Sequence, residues 1–301
     1  MAAEDGIAVD VQYFRLSEPL DDYFTALYLF AITCPPDGII EDALHPEWAS
    51  MRFTVSGPPP VARIGPGPLE PKWPFVVSGP TSRAIRFGLQ QSRIWGLGLQ
   101  PAGFARYVPF RAADLADDTI DGLAHPGFAR LAPLLRIAGE PGVPAAMMAQ
   151  RIERFLVEHL GPPVRQEPQI LACQEALRDP AVASVDELGA RVGAGRRSLE
   201  RLCVRYFGFP PKMLLRRQRF LRSLAQFTIA GGENWSRALD DQYYDQAHFV
   251  RDFKAFMGMT PTEYAAAPHP IIDRIIVQRM ADQGALPQTD LPTLLRYGKV
   301  A

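Results

Sequence analysis

Arg197, Arg201 and Arg205 recur at every fourth position, and a helix places residues so spaced on one face. Three guanidiniums projecting together suit phosphates and the guanine edge. Each is permanently charged and presents a planar fork of donors. Ten basic residues and one acid, Glu200, lie between Arg191 and Arg222, against a formal net charge of −1 for the 301 residues. So strong a local asymmetry points to a polyanion partner; the plainer alternative is a solvated helical face.

Catalytic chemistry is harder to assemble. There is no Gly-rich phosphate loop after a strand, no GxSxG and no HExxH. His45, His125 and His159 are isolated from one another, whereas a metal needs convergent ligands. Gly65-Pro66-Gly67-Pro68 is a proline-ruled loop and not a phosphate cradle, because proline removes backbone donors. Cys34, Cys173 and Cys203 form no CxxC pair, which argues against a disulfide scaffold or a zinc ribbon and favours a reducing compartment. Trp48, Phe53, Trp73 and Trp95 read as core. The expectation is a protein that is not an enzyme, with no catalytic residue, no cofactor and no metal.

The arginine stripe needs a scaffold, and the sequence around it supplies one. Ser184 and Glu187 stand at capping-box spacing at the head of a short helix through Val192. Gly193-Ala194-Gly195 breaks it, and a second helix runs from Arg196 to Phe207 with Leu199, Leu202, Cys203 and Tyr206 as its apolar face. A helix, a glycine turn and a helix with an arginine stripe make the helix-turn-helix layout. Pro211 starts the next helix, 212–227, which carries Lys212, Arg216, Arg217, Arg219 and Arg222 and stops at Gly231-Gly232. A second unit follows. Asn234 or Ser236 caps a helix through Trp235, Ala238 and Leu239, and a turn lies near Asp241-Gln242-Tyr243. Another helix starts at about Asp245 with Phe249, Phe253, Phe256 and Met257 buried. Two such units suit two successive major grooves ~34 Å apart.

At ~150 residues per domain, 301 residues suggest two domains. Twenty of the 29 prolines lie in residues 1–164. The break falls at the Pro-rich stretch 161–168, read as a stiff linker. Before it, Tyr23–Thr33, Met51–Ser56, Phe75–Ser78, Ala84–Gln90 and Ile94–Leu99 read as short strands of an antiparallel sandwich or barrel, with Gly96 and Gly98 suggesting a bulge or bend. Leu131–Ala138 and Met148–His159 have helical spacing and close that domain. The longest charge-free apolar stretch, Tyr23 to Pro36, is 14 residues, short of the ~20 a spanning helix needs. With an acidic N-terminus lacking a basic n-region, the expected location is cytoplasmic, with no membrane partner.

The residues ELGARVGAGRRSLERLCVRYFGFPPKMLLRRQRF and, downstream, RALDDQYYDQAHFVRDFKAFMGMTPTEY resemble the AraC/XylS family of bacterial transcriptional regulators. The second piece carries the family signature, ending in Gly258-Met259-Thr260-Pro261 and Tyr264 and mirrored by Gly208-Phe209-Pro210-Pro211. The first half more loosely resembles the cupin-like sensory domains that precede this module. The resemblance implies a mixed fold of two domains: residues 1–160, mainly antiparallel β with following helices, for sensing or oligomerisation, and residues 169–268, an all-α double helix-turn-helix. Residues 161–168 join them, and 269–301 form a C-terminal tail. Ile271, Ile275 and Ile276 suggest a helix in that tail, with an extended stretch from Leu286 to Ala301.

Carried over by resemblance, Arg196, Arg197, Glu200 and Arg201 of the first recognition helix face DNA. Gln246, Ala247, His248 and Arg251 of the second do the same, and Arg205 and Lys254 contact the backbone. Arg219 matches a family arginine of structural role. The implied partners are double-stranded DNA, a small-molecule effector, a second copy of the chain and RNA polymerase, in an activator's role. Two departures stand out. Gly195 replaces the usual hydroxyl cap, and Gln242 replaces the usual turn glycine, which a rearranged turn with negative φ accommodates. The rival readings are an enzyme or DNA-repair domain fused to a DNA-binding module, and a first half serving only as an interaction module.

Overall fold

The structure is a computed structural model and describes residues 7–36, 38–229 and 240–283. The expectations for Gly231-Gly232, for the helix through Trp235 to Leu239 and for Leu286–Ala301 lie outside the described residues.

The first half is built on two antiparallel sheets. β1 (Ala8–Phe14), β2 (Phe24–Thr33), β4 (Ala49–Ser56), β7 (Phe75–Ser78), β9 (Ser92–Leu99) and β10 (Thr119–Asp121) form the larger, in the order β1-β2-β9-β4-β7-β10. β3 (Ile40–Leu44), β5 (Val61–Ile64), β6 (Glu70–Pro71) and β8 (Ile85–Leu89) form the smaller, in the order β3-β8-β5-β6. Side chains alternate across the larger sheet with period two. Phe30, Ile32 and Ile94 meet Ala62, Ile85 and Phe87 of the smaller sheet in one apolar cluster. Leu29, Met51, Phe53, Phe75, Trp95 and Leu97 point the other way and pack under helices. The expected sandwich is therefore present, with all five expected strands. Strands β1, β3, β5, β6 and β10 are additional to them, being edge-ward, short or polar enough to lack a clear alternation. Of the two glycines expected to mark a bulge or bend, Gly96 is paired through with β2 and β4, whereas at Gly98 the register of β2 shifts opposite it, at Phe24/Ala26; the other shift falls at Thr54/Ser56. Glycine stands at 96 because the Tyr28 ring lies over it, 2.0 Å from where a Cβ would sit.

Helices follow. α1 (Pro101–Tyr107), α2 (Pro133–Ala138) and α3 (Ala145–Glu158) cover the larger sheet. Then come α4 (Glu167–Arg178), α5 (Val185–Val192), α6 (Arg196–Phe207), α7 (Pro211–Ile229), α8 (Gln246–Met257), α9 (Pro261–Ala266) and α10 (Ile272–Gln283). The stretch 161–168 is tied down at both ends. Arg106 donates to the carbonyl of Gly161 at 2.6 Å and pairs with Glu167 at 2.7 Å, and Glu167 also accepts from the Tyr23 hydroxyl at 2.9 Å. One apolar cluster runs from Leu20 through the sheet and α1–α3 into α4, α5 and α6 as far as Leu214. A second cluster holds the second half of α7 with α8 and α9, from Phe220 to Tyr264, and takes in Ala84 from the first half.

Candidate nucleic-acid interface

The first unit forms as its residues dictate. Ser184 accepts from the Glu187 amide at 3.2 Å while Glu187 accepts from the Ser184 amide at 2.9 Å, a closed capping box. The amides of Ala183 and Ser184 and the Ser184 hydroxyl hold the Glu187 carboxyl below its ordinary range. Gly193 takes φ 66°, with nothing within 4 Å of where a Cβ would sit, so glycine serves the left-handed turn itself. α6 then starts at Gly195, which gives no side-chain cap. Leu199, Leu202, Cys203, Tyr206 and Phe207 are buried. Arg196, Arg197, Glu200, Arg201 and Arg205 are all exposed on one side of α6. Arg196 is engaged within that surface, donating from Nε and Nη2 to the two oxygens of Asp186 at 2.7 Å each.

The second unit presents its helix in the same manner. Asp245 accepts from the His248 amide at 2.6 Å, as an N-cap should, and leaves Gln246 and Ala247 exposed at the leading tip. Arg251 and Lys254 are exposed one and two turns on. His248 sits differently from its neighbours: it is half-buried, with Nε2 3.2 Å from Arg219 Nη2 and its ring edge-on to Tyr243. The turn has rearranged, as expected for a non-glycine. Among the described non-glycine residues Asp117 alone has a positive φ. Gln242 donates its amide to Asp240 Oδ1 at 3.0 Å and its Nε2 to the Pro180 carbonyl at 2.5 Å. Thr260 and Glu263 close a second capping box at the start of α9.

α7 corrects the reading of its charge. Its arginines face protein. Arg216 and Arg219 pair with the buried Asp252 at 2.6 and 3.1 Å, and Arg219 also lies over the Tyr243 ring. Arg222 pairs with the buried Asp240 at 2.5 Å. Arg217 is 1% exposed, lies 3.8 Å from the centroid of Trp48 and donates to the carbonyls of Glu47 and Thr81. The structural role expected of Arg219 therefore extends to three of its neighbours. Asp252 and Asp240 escaped sequence reading, since neither acid is a near neighbour on one helix of the arginine it serves.

A second feature also went unread. Between the two sheets lies a small apolar cavity of about 70 Å³, open at its mouth. Phe30, Val76 and Ile94 line it from one sheet, Ala62, Ile85 and Phe87 from the other, and Ile271 and Ile275 close it from α10. Its polar lining is Tyr28, Arg52, Lys72, Ser78 and Thr119, and Arg52 donates to the Tyr28 hydroxyl at 3.1 Å, reaches Ser78 at 3.5 Å and pairs with Glu47 at 2.7 Å. Burial pulls the Arg52 guanidinium down, but Glu47 and Tyr28 outweigh it and hold it above its ordinary range. The signal was present in β4, where Arg52 occupies an inward position of an alternating strand.

The three cysteines are free of disulfides and buried. Cys173 and Cys203 approach to 4.0 Å between α4 and α6. The hydrogen bond to Cys203 and burial push the Cys173 thiol well up, which suppresses the thiolate that redox chemistry needs. Among the described residues no cluster of three or more His, Cys, Asp or Glu is placed to hold a metal. No described helix is long and apolar enough to cross a membrane.

Residues 188–267 match the model of a helix-turn-helix domain family. No curated protein sequence matches the chain. Among solved structures, ToxT from Vibrio cholerae O395 is similar over 87% of this chain and 98% of its own, at 11% identity and a TM-score of 0.38. The same protein bound to (E)-4-(8-methylnaphthalen-1-yl)but-3-enoic acid gives 10% identity and a TM-score of 0.41 over 86% of this chain and 98% of its own. The AraC-like transcriptional activator CuxR is 14% identical over 72% of this chain and 87% of its own, with a TM-score of 0.28.

Proposed function

We propose, from the premise that residues 188–267 are an AraC-type helix-turn-helix domain, that this protein is a transcriptional regulator whose α6 and α8 read successive major grooves of one duplex. The observation that carries the reading is the exposure of Arg197, Arg201, Arg251 and Lys254 on two helices whose opposite faces are fully packed. Arg201 and Arg251 read base edges, Gln246 and Ala247 meet bases at the tip of α8, and Arg205 and Lys254 hold phosphates. His248 orients α8 through Arg219 and reaches DNA only with its outer edge.

Salt titration tests this reading. With Arg201 and Arg251 on base edges, Arg197, Arg205 and Lys254 neutralise about three phosphates, so log K against log salt should fall with a slope of roughly −3. If the four arginines of α7 also met DNA the slope would be nearer −6, and a flat response would refute DNA binding by this surface.

The first half is the effector domain, and the cavity between its sheets is the effector site. A small molecule with an apolar body fits the walls, and an acceptor group on it, such as a carboxylate, fits the corner formed by Arg52, Tyr28 and Ser78. Arg52→Leu should abolish effector response in a reporter assay while leaving DNA binding in place; an unchanged response would favour a first half that serves only in protein interaction.

A further inference from the structure

The cavity is not built from the first half alone. Two of its walls are the sheets of residues 8–121, but Ile271 and Ile275 come from beyond residue 267, where the family match closes. Ile271 is 1% exposed and belongs to the same apolar cluster as Phe30, Ile85 and Ile94. The chain thus leaves the second helix-turn-helix unit, crosses back to the sandwich and inserts into it.

The crossing is held by one carboxylate. Asp42 Oδ2 accepts from the amides of Ile271 at 2.9 Å and Ile272 at 2.8 Å, and Asp42 Oδ1 faces His269 Nδ1 at 3.5 Å. Burial would raise the Asp42 carboxyl, but His269 and the amides of Ile272, Ala43 and Ile271 outweigh it and keep it ionised. His269 in turn stacks on Tyr264, ring centroids 4.1 Å apart, and its Nε2 lies 2.8 Å from the Tyr264 carbonyl. Tyr264 is 3% exposed, bonds His45 through its hydroxyl at 2.9 Å, and packs edge-on against Phe253 of α8 at 5.5 Å. A continuous run of contacts therefore leads from the cavity wall to the recognition helix of the second unit. The first unit is anchored differently, its core being continuous with α1–α4.

We infer that residues 269–283 are an effector-sensing strap: Ile271 and Ile275 touch the bound effector, and the Asp42–His269–Tyr264 link reports occupancy of the cavity to the second helix-turn-helix unit. This rests on the reading of the cavity as the effector site of a DNA-binding protein. A filled cavity fixes α10 against both sheets and so fixes α9 and α8. With α10 displaced, the second unit keeps its own core and its bonds to the sandwich through Ala84–Phe256 and His45–Tyr264, and loses the Asp42–His269 part of the tie, while the first unit is undisturbed.

Hydrogen exchange on the full chain tests the link, with Ile275→Glu and the milder Asp42→Asn as variants. Exchange over Gln246–Ala266 should rise at least five-fold in both, and exchange over Arg196–Phe207 should stay within two-fold of wild type. An equal rise in both units, or none in either, overturns the link. The cavity wall is tested with 1-anilinonaphthalene-8-sulfonate, an apolar ring system carrying an anionic group. Ile275→Glu should weaken its fluorescence-detected binding at least ten-fold. Equal binding in wild type and variant, or none in wild type, overturns the contact by the strap. Binding of wild type to duplex DNA is followed separately by anisotropy, so a failure of the DNA-binding reading shows there and leaves the exchange pattern to judge the strap.

Discussion

α6 carries Arg196, Arg197, Arg201 and Arg205, and α7, four residues further on, carries Arg216, Arg217, Arg219 and Arg222. The four of α6 are exposed and the four of α7 are turned inward onto Asp252, Asp240, Trp48 and the carbonyls of Glu47 and Thr81. Composition counts the two helices alike. Spacing separates them in part. In α6 the arginines 197, 201 and 205 share a face opposite the apolar one. In α7 the steps 216, 217, 219 and 222 wrap the helix, so no orientation exposes them all. A basic helix whose charges encircle it must find acids or carbonyls around it, and its charge is then spent within the protein.

The largest expected effect follows from Arg217. Arg217→Ala removes a buried cation, two hydrogen bonds to backbone carbonyls and the packing on Trp48. The loss should be about 3 kcal/mol, seen as a fall of several degrees in the thermal midpoint of the full chain. The salt slope of DNA binding by the remaining folded protein should not change. A drop in slope with unchanged stability would reverse the comparison and place Arg217 on DNA.

Next come Arg201→Ala and Arg251→Ala. Each should cost ~1–3 kcal/mol in affinity for the preferred duplex and relax the preference at one base position, with stability within about 0.5 kcal/mol of wild type. Binding to a panel of single-base variants of the site checks this, and equal losses on every duplex would demote both residues to phosphate contacts.

Much of this was legible in the residues. The Ser184–Glu187 capping box, the Gly193 turn and the apolar faces of α6 and α8 are local, and local signals survive folding. Five strands were visible because Tyr23–Thr33 and its like are aromatic and β-branched between prolines and glycines. What stayed hidden depends on residues far apart in sequence. Arg52 looks like an ordinary polar position of a strand until Tyr28, Ser78 and Glu47 close round it. Asp42 is one acid among several until α10 returns across more than two hundred residues to use it. The sign of a charge can be read from a sequence; its partner can be read only where the partner is a near neighbour on the same helix.

A smaller effect separates the phosphate contacts from the base contacts. Arg205→Ala and Lys254→Ala should weaken binding to all duplexes alike and each reduce the magnitude of the salt slope by ~1. Repeating the titration between 50 and 200 mM salt on a preferred and an unrelated duplex shows the difference. A loss confined to the preferred duplex would move either residue into the base-reading set.

The smallest expected change lies at Gln242, where the second unit departs from the first. Gly193 needs its left-handed φ of 66° and has no neighbour to touch. Gln242 avoids the left-handed region and gains two bonds, one within its own turn to Asp240 and one to the carbonyl of Pro180, between α4 and α5 of the first unit. Gln242→Gly should therefore destabilise by about 1 kcal/mol, since the bond to Pro180 is lost and the unfolded chain gains freedom, both with the same sign. Gln242→Ala keeps a side chain's restriction on the backbone and loses only the bond to Pro180, so it should fall between glycine and wild type. Thermal unfolding of the three full-length proteins gives the order. A rise in midpoint for glycine would mean that the turn is strained and that the two units share one turn geometry after all. An alanine variant as unstable as glycine would assign the whole effect to the bond that ties the second turn to the first unit.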